Sequence, residues 1–187
     1  MSNRFSDGLD AVVQKAFTRP APKNAGPQMR YLVKQLGGTK QVAQMLRISQ
    51  RTVERYVKDQ IKKPRPDLAA RLEREVKARW QPQIRAKARE KAATTGGIVL
   101  DVHARLGYAG APAHTTDEDR IRHLTVALPP QHAARLFDAQ QQGADDDRLR
   151  ELTADALKEV YFQDGGRRAG SLQEVEINDV INLEFDL

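Results

Sequence analysis

Between Gly37 and Pro66 the chain reads GGTKQVAQMLRISQRTVERYVKDQIKKPRP, and its apolar spacing admits few folds. Counted from Thr39, apolar residues fall at steps 4, 8, 10, 15 and 18, which are Val42, Leu46, Ile48, Val53 and Tyr56. That pattern predicts two short helices joined by a tight turn. Step 5 is Ala43, small enough for the two helices to approach closely. Gly37 and Gly38 stop the helix before, Thr39 suits an N-cap, and Pro64 and Pro66 end the unit. The one departure is step 9, where glycine commonly supplies a left-handed turn. Arg47 stands there and makes the turn the weakest part of the match.

A helix-turn-helix of this kind sends its second helix into the major groove of DNA. Here that helix is expected from Gln50 to Lys58. Periodicity exposes Gln50, Arg51, Thr52 and Arg55. Arginine can pair bidentately with guanine and glutamine with adenine. Lys58, Lys62, Lys63 and Arg65 are expected to lie along phosphate, which positions a protein without specifying sequence, and Arg47 at the turn is counted with the DNA-binding residues. The plain alternative is a helical hairpin with no nucleic-acid role.

Charge supports the DNA reading. Residues 28–91 hold 18 Lys/Arg against 6 Asp/Glu, whereas residues 92–187 hold 9 against 17. A basic block of that size attracts phosphate and releases counterions on binding. The acidic half is expected to avoid DNA or to face a basic partner. The split divides the chain into an N-terminal helix and linker (1–27), a basic helix-turn-helix domain (28–95) and a further domain (96–187). The 187 residues contain no cysteine, which excludes disulfide and thiolate chemistry. No apolar run approaches the roughly 18 residues of a membrane span. The N-terminus carries no signal-peptide core, so the expectation is a cytoplasmic protein without membrane contact.

The expected fold class is α+β, mainly α. Residues 4–17 have helical spacing at Phe5, Leu9, Val12, Val13 and Phe17. Residues 18–27, with three prolines and a glycine, read as a linker. A helix is expected over 28–36. Another starts at Asp67 and buries Leu68, Leu72, Val76 and Trp80, and Pro82 breaks or kinks it. Residues 83–95 are expected to continue as an exposed basic helix. Residues 98–108 and 122–128 read as strands, the second with Leu124, Val126 and Leu128 on one face. Two helices follow, the second opening on Asp145–Asp147 as suits a helix dipole. One or two short strands close the chain, either as an intramolecular edge or as a site for strand addition.

Several stretches resemble the telomere terminal proteins of Streptomyces-type linear chromosomes and linear plasmids. They are QMRYLVKQLGGTKQVAQMLRISQRTVERYVKDQIKKPRPDLAARLEREVKARWQPQIRAKAR, TTGGIV, RHLTVALPP, EVYFQDGGRRAGSL and the terminal LEFDL. The resemblance spans essentially the whole chain. It implies a protein primer for end-patching DNA synthesis, which stays covalently on the 5′ end and caps it. A side-chain hydroxyl attacks the α-phosphate of a deoxynucleotide, and a DNA polymerase extends from it. The partners it implies are telomeric DNA as duplex or folded 3′ overhang, a telomere-associated protein and the polymerase. No cofactor belongs to the chain itself; Mg²⁺ and the deoxynucleotide come with the polymerase, and the primer is not itself an enzyme. Carried onto this sequence, the linked residue is Thr116, just before Asp117 and Arg120, with Thr115 as the alternative. Tyr108 is a third hydroxyl nearby, expected to pack on its strand.

A transcriptional regulator is the main rival reading. The strand–helix–helix order of residues 122–162 even resembles a ribbon-helix-helix unit, which brings a homodimer into consideration. His103, His114, His123 and His132 are too widely spaced for a metal site and read as surface or strand residues. Asp145–Asp147 reads as a helix start rather than a metal site. Gly96-Gly97 and Gly165-Gly166 are simple breakers, not phosphate loops.

Overall fold

A computed structural model describes residues 4–109, 119–167 and 172–187. Within them are eight α-helices and a three-stranded antiparallel sheet, so the fold is α+β and mainly α. The chain divides into two compact units, Thr18–Pro82 and Met1–Phe17 with Gln83–Leu187.

The first unit holds α2 (Ala25–Leu36), α3 (Thr39–Leu46), α4 (Gln50–Val57) and α5 (Pro66–Arg79). Helix α2 begins earlier than the sequence predicts, with Gly26 and Pro27 in its first turn, where the N–H that proline lacks would have no partner within the helix. Gly26 packs closely there: a Cβ would come within 2.0 Å of Asp59 Oδ1, which would have to move, and 3.3 Å of the Tyr56 carbonyl. Gly37 ends α2 in the left-handed region at φ 78°. Met29, Leu32, Val42, Leu46, Val53, Leu72 and Val76 are fully buried together. Each contributes roughly 1.5–3 kcal/mol of burial. Trp80 closes the edge of this core, only partly covered, with its ring edge-on to Tyr31 at 4.8 Å.

The other unit begins with α1 (Phe5–Lys15). It continues from α6 (Pro82–Lys91) and a π-helical turn (Ala92–Gly96) into β1 (Ile98–Ala109), β2 (Asp119–Leu128), α7 (Pro130–Gln141) and α8 (Asp146–Leu157). A second π-helical turn (Lys158–Phe162) leads to β3 (Glu174–Asp186). The strand order is β2-β1-β3. Even-numbered residues of β1 from Ile98 to Leu106 are buried, as are Leu124, Val126 and Leu128 of β2. They share one core with Phe5, Leu9, Val12, Val13, Leu136, Phe137 and Phe185. Two short C-terminal strands were an option in the sequence, but one strand of 13 residues forms. It stays paired across a bulge near Arg105, where Asp179 takes φ 33° and accepts a hydrogen bond from Arg105 Nε at 3.1 Å.

Three sequence expectations need revision here. The boundaries 1–27, 28–95 and 96–187 differ from the packing, since the amphipathic face of α1 and residues 83–95 go with the sheet. Helix α6 is not an exposed basic helix: Arg85 and Ala88 are buried, and Arg85 Nη2 donates to Asp10 Oδ1 at 2.7 Å. A cation can be buried there because a carboxylate and the Phe17 ring receive it. Finally, β2 finds its antiparallel partner in β1, register Ile98↔Leu128 to Gly107↔Asp119, rather than forming a ribbon-helix-helix strand.

Candidate nucleic-acid interface

The three-residue turn between α3 and α4 forms around Arg47, which adopts φ 54°, ψ 49°. This is the left-handed conformation that the pattern usually reserves for glycine. Its cost is offset locally. The Ile48 N–H donates to the Ala43 carbonyl at 3.0 Å, and Ile48 packs on the core. Ser49 then caps α4, its hydroxyl accepting from the Thr52 N–H at 3.2 Å.

Thr52 takes part in that cap: its hydroxyl lies 2.8 Å from Ser49 Oγ, and the residue is half-buried. Thr39 differs from expectation. Gly38 holds the N-cap position, and the Thr39 hydroxyl accepts from Gln50 Nε2 at 3.1 Å. At the other end of α4, Arg30 Nη1 donates to the Val57 carbonyl at 2.9 Å and to Asp59 Oδ2 at 2.8 Å.

On the solvent side of α4 and after it, Arg47, Gln50, Arg51, Arg55, Lys58, Lys62, Lys63 and Arg65 are all exposed. None of the seven cations forms an ion pair with a described residue. Helix α5 contrasts with this: Lys77 pairs with Glu73 at 2.7 Å, and Arg79 and Arg74 both pair with Glu75. The unpaired cations thus concentrate around the second helix of the motif. Tyr56, buried beneath them, has its hydroxyl pKa pushed up by desolvation, with Arg55 and Arg65 opposing. The residue sequence reasoning passed over is Glu54. It lies one turn after Gln50, whose Nε2 donates to Glu54 Oε1 at 3.0 Å. Their i,i+4 spacing was the available signal.

Thr115 and Thr116 lie outside the described residues, as does His114. The flanking strands are paired to Gly107 and Asp119. On the solvent face of that sheet the structure brings together residues the sequence left apart. His103 and His123 stand opposite each other with ring centroids 5.5 Å apart. His123 Nε2 is 3.0 Å from Asp101 Oδ1, and Thr125 donates to Asp101 Oδ2 at 2.7 Å. Hydrogen bonds from Thr125, then His123, hold the Asp101 carboxyl below its usual range. His132 is not a surface residue: it is buried on α7, 3.5 Å from Glu159. No group of metal-ligating side chains suited to an ion occurs among the described residues. None of their helices is long and apolar enough to cross a membrane. No family model, curated protein or solved structure matches the chain.

Proposed function

We propose that this chain is a DNA-binding protein primer for end-patching synthesis on a linear replicon. Helix α4 enters the major groove, and a threonine hydroxyl, Thr116 with Thr115 as the alternative, receives the first deoxynucleotide. The observation that carries the DNA part is the exposed second helix of a formed helix-turn-helix, ringed by seven cations without carboxylate partners. Such cations keep their full attraction for phosphate and release counterions when they bind it. The priming part rests on the resemblance and on the chemistry it requires.

In that chemistry the threonine oxygen attacks the α-phosphorus of a deoxynucleoside triphosphate. A phosphoester bond to the side chain forms, the bond to the β,γ-diphosphate breaks, and pyrophosphate leaves. A neutral hydroxyl is a poor nucleophile. The polymerase therefore accepts its proton and supplies the Mg²⁺ ions that stabilise the developing charge. This chain supplies the hydroxyl, its delivery to the DNA end and the lasting cap. Its remaining partners are a telomere-associated protein and the polymerase, working at the chromosome ends of the nucleoid.

The test incubates the full chain with polymerase, telomere complex, Mg²⁺ and labelled deoxynucleotides, then seeks a nucleotide-bearing peptide by mass spectrometry. The expected adduct lies on Thr116 and is lost in Thr116→Ala. Absence of any adduct, under conditions that label a related primer, overturns priming and leaves a helix-turn-helix regulator as the reading. Migration of the adduct to Thr115 corrects only the residue. In the same preparation, Arg51→Ala and Arg55→Ala should each weaken duplex binding by about tenfold or more. Arg167→Ala, in the acidic unit, should change it little.

A further inference from the structure

The recognition surface carries a carboxylate, a charge that phosphate binding alone would disfavour. Glu54 lies on α4 between Arg51 and Arg55, with no cation paired to it among the described residues. Its Oε1 accepts from Gln50 Nε2 at 3.0 Å, and the same nitrogen donates to Thr39 Oγ1 at 3.1 Å. The orientation of the Gln50 amide follows from chemistry: an ionised carboxylate only accepts, so the amide nitrogen must face it. Both amide N–H donors are thereby spent inside the protein. What Gln50 has left for a ligand is its carbonyl oxygen, an acceptor. Glu54 Oε2 is a second acceptor one turn further along the helix.

We propose that the Thr39–Gln50–Glu54 chain is a specificity element, a pair of acceptors that selects an exocyclic amino group in the major groove. This inference rests on the DNA reading above. Cytosine N4 and adenine N6 are the two such donors on that edge, whereas guanine N7 and O6 and thymine O4 only accept. An acceptor pair meeting guanine or thymine faces like lone pairs and loses its hydration without replacement. With Gln50 restrained in this way, its bidentate pairing to adenine, which needs a free N–H, is not the contact made. Arg51 and Arg55 flank the pair with donors suited to guanine. The surface thus alternates donors and acceptors, as a sequence-reading helix requires. Glu54 also repels backbone phosphate, so it weakens binding to unrelated sequence while strengthening binding to the right base.

The test selects duplexes from a randomised library with the full chain, then measures affinities of the selected and scrambled duplexes. Wild type is expected to fix cytosine or adenine at one position beside a guanine; which of the two appears identifies the amino donor. Glu54→Ala should relax that position by about tenfold in preference and bind scrambled duplex as well as wild type or better. Thr39→Val, which frees one Gln50 N–H while leaving the helix cap intact, should shift the neighbouring position toward adenine. An unchanged preference in both variants, each still folded by circular dichroism, overturns the proposal and leaves DNA binding standing. So does a wild-type pool that fixes only guanines, or nothing. If wild type binds no duplex at all, the DNA reading falls and this inference falls with it.

Discussion

The two units of this chain handle charge in opposite ways. Residues 18–82 hold 16 Lys/Arg and 5 Asp/Glu; the remaining residues hold 15 and 20. Where acids are in excess, cations are drawn into pairs. Arg85 and Arg89 converge on Asp10, Lys15 on Glu184 and Asp186, Arg105 on Asp179, and Arg148 on Glu151. The Lys15 ammonium is held charged above its ordinary range, chiefly by its hydrogen bond from the amine to Glu184. Where bases are in excess, the five acids are spent on α5, on the Arg30–Asp59 cap and on Gln50, and the cations around α4 stay unpaired. A surface ion pair adds little stability. On the proposed DNA-binding reading, the distribution decides which surface meets phosphate more than it holds the fold together.

The largest effects should come from testing whether the two cores behave as separate units. Leu46 and Phe137 are each essentially fully buried, and each belongs to a different cluster. Leu46→Ala should cost about 3 kcal/mol and Phe137→Ala about 3–5 kcal/mol. Native-state hydrogen exchange reads the location of the loss. Leu46→Ala should speed exchange in α2–α5 and abolish duplex binding while β1 stays protected. Phe137→Ala should expose β1 and leave α3 and α4 protected. Loss of protection in both regions from either substitution would break the comparison.

How much of this was legible in the sequence depended on the range of the interaction. The helix-turn-helix was, because its signal is local: Val42, Ala43, Leu46, Val53 and Tyr56 all appear in the core that their spacing predicts. The buried alternation of β2 and the acidic start of α8 were readable for the same reason. What escaped were contacts between distant segments. Arg85 looked exposed until α1 brought Asp10 to it, and His103 and His123 became neighbours only through the β1–β2 register. The capping contact of Thr52 escaped for a different reason: a hydroxyl three residues past a serine can both bond the cap and remain at the surface, and periodicity reads only the second. Glu54 is a lone acid in a cationic stretch, and its role depends on the side-chain contact with Gln50 that composition does not show. The proposed attachment residues, Thr115 and Thr116, carry no local signal of that role; only the resemblance marks them.

A middle-sized effect concerns Arg47, where stability and binding should part. A non-glycine residue at φ 54° costs roughly 1–2 kcal/mol relative to glycine. That gain is reduced by glycine's greater freedom in the unfolded chain. Arg47→Gly should therefore raise the stability of the helical unit by up to about 1 kcal/mol while weakening duplex binding and lowering its salt dependence by about one counterion. Chemical denaturation and a salt titration of affinity measure the two sides. A variant that is both more stable and equally tight would show that Arg47 faces away from DNA, and would shrink the cationic surface to α4 and the segment after it.

The smallest effect separates the units by proton linkage. All four histidines lie outside residues 18–82, so the helical unit has no imidazole to titrate. In the other unit His132 is buried on α7, and desolvation is the main cause that lowers its pKa below the ordinary value of about 6.5. Glu159 and Asp155 pull the other way, and Arg135 adds to the lowering. The unfolded chain therefore binds this proton more readily than the folded one. The stabilisation is complete above about pH 6.5 and is lost as pH falls through the depressed folded value. Between pH 7 and pH 5 the sheet unit should lose stability, and His132→Gln should flatten that slope while lowering stability at neutral pH. The difference between wild type and variant cancels the contributions of every group the two share. Helices α2–α5 should show no histidine-linked slope across the same window. An equal slope in wild type and His132→Gln would mean that the imidazole is already solvated in the folded protein.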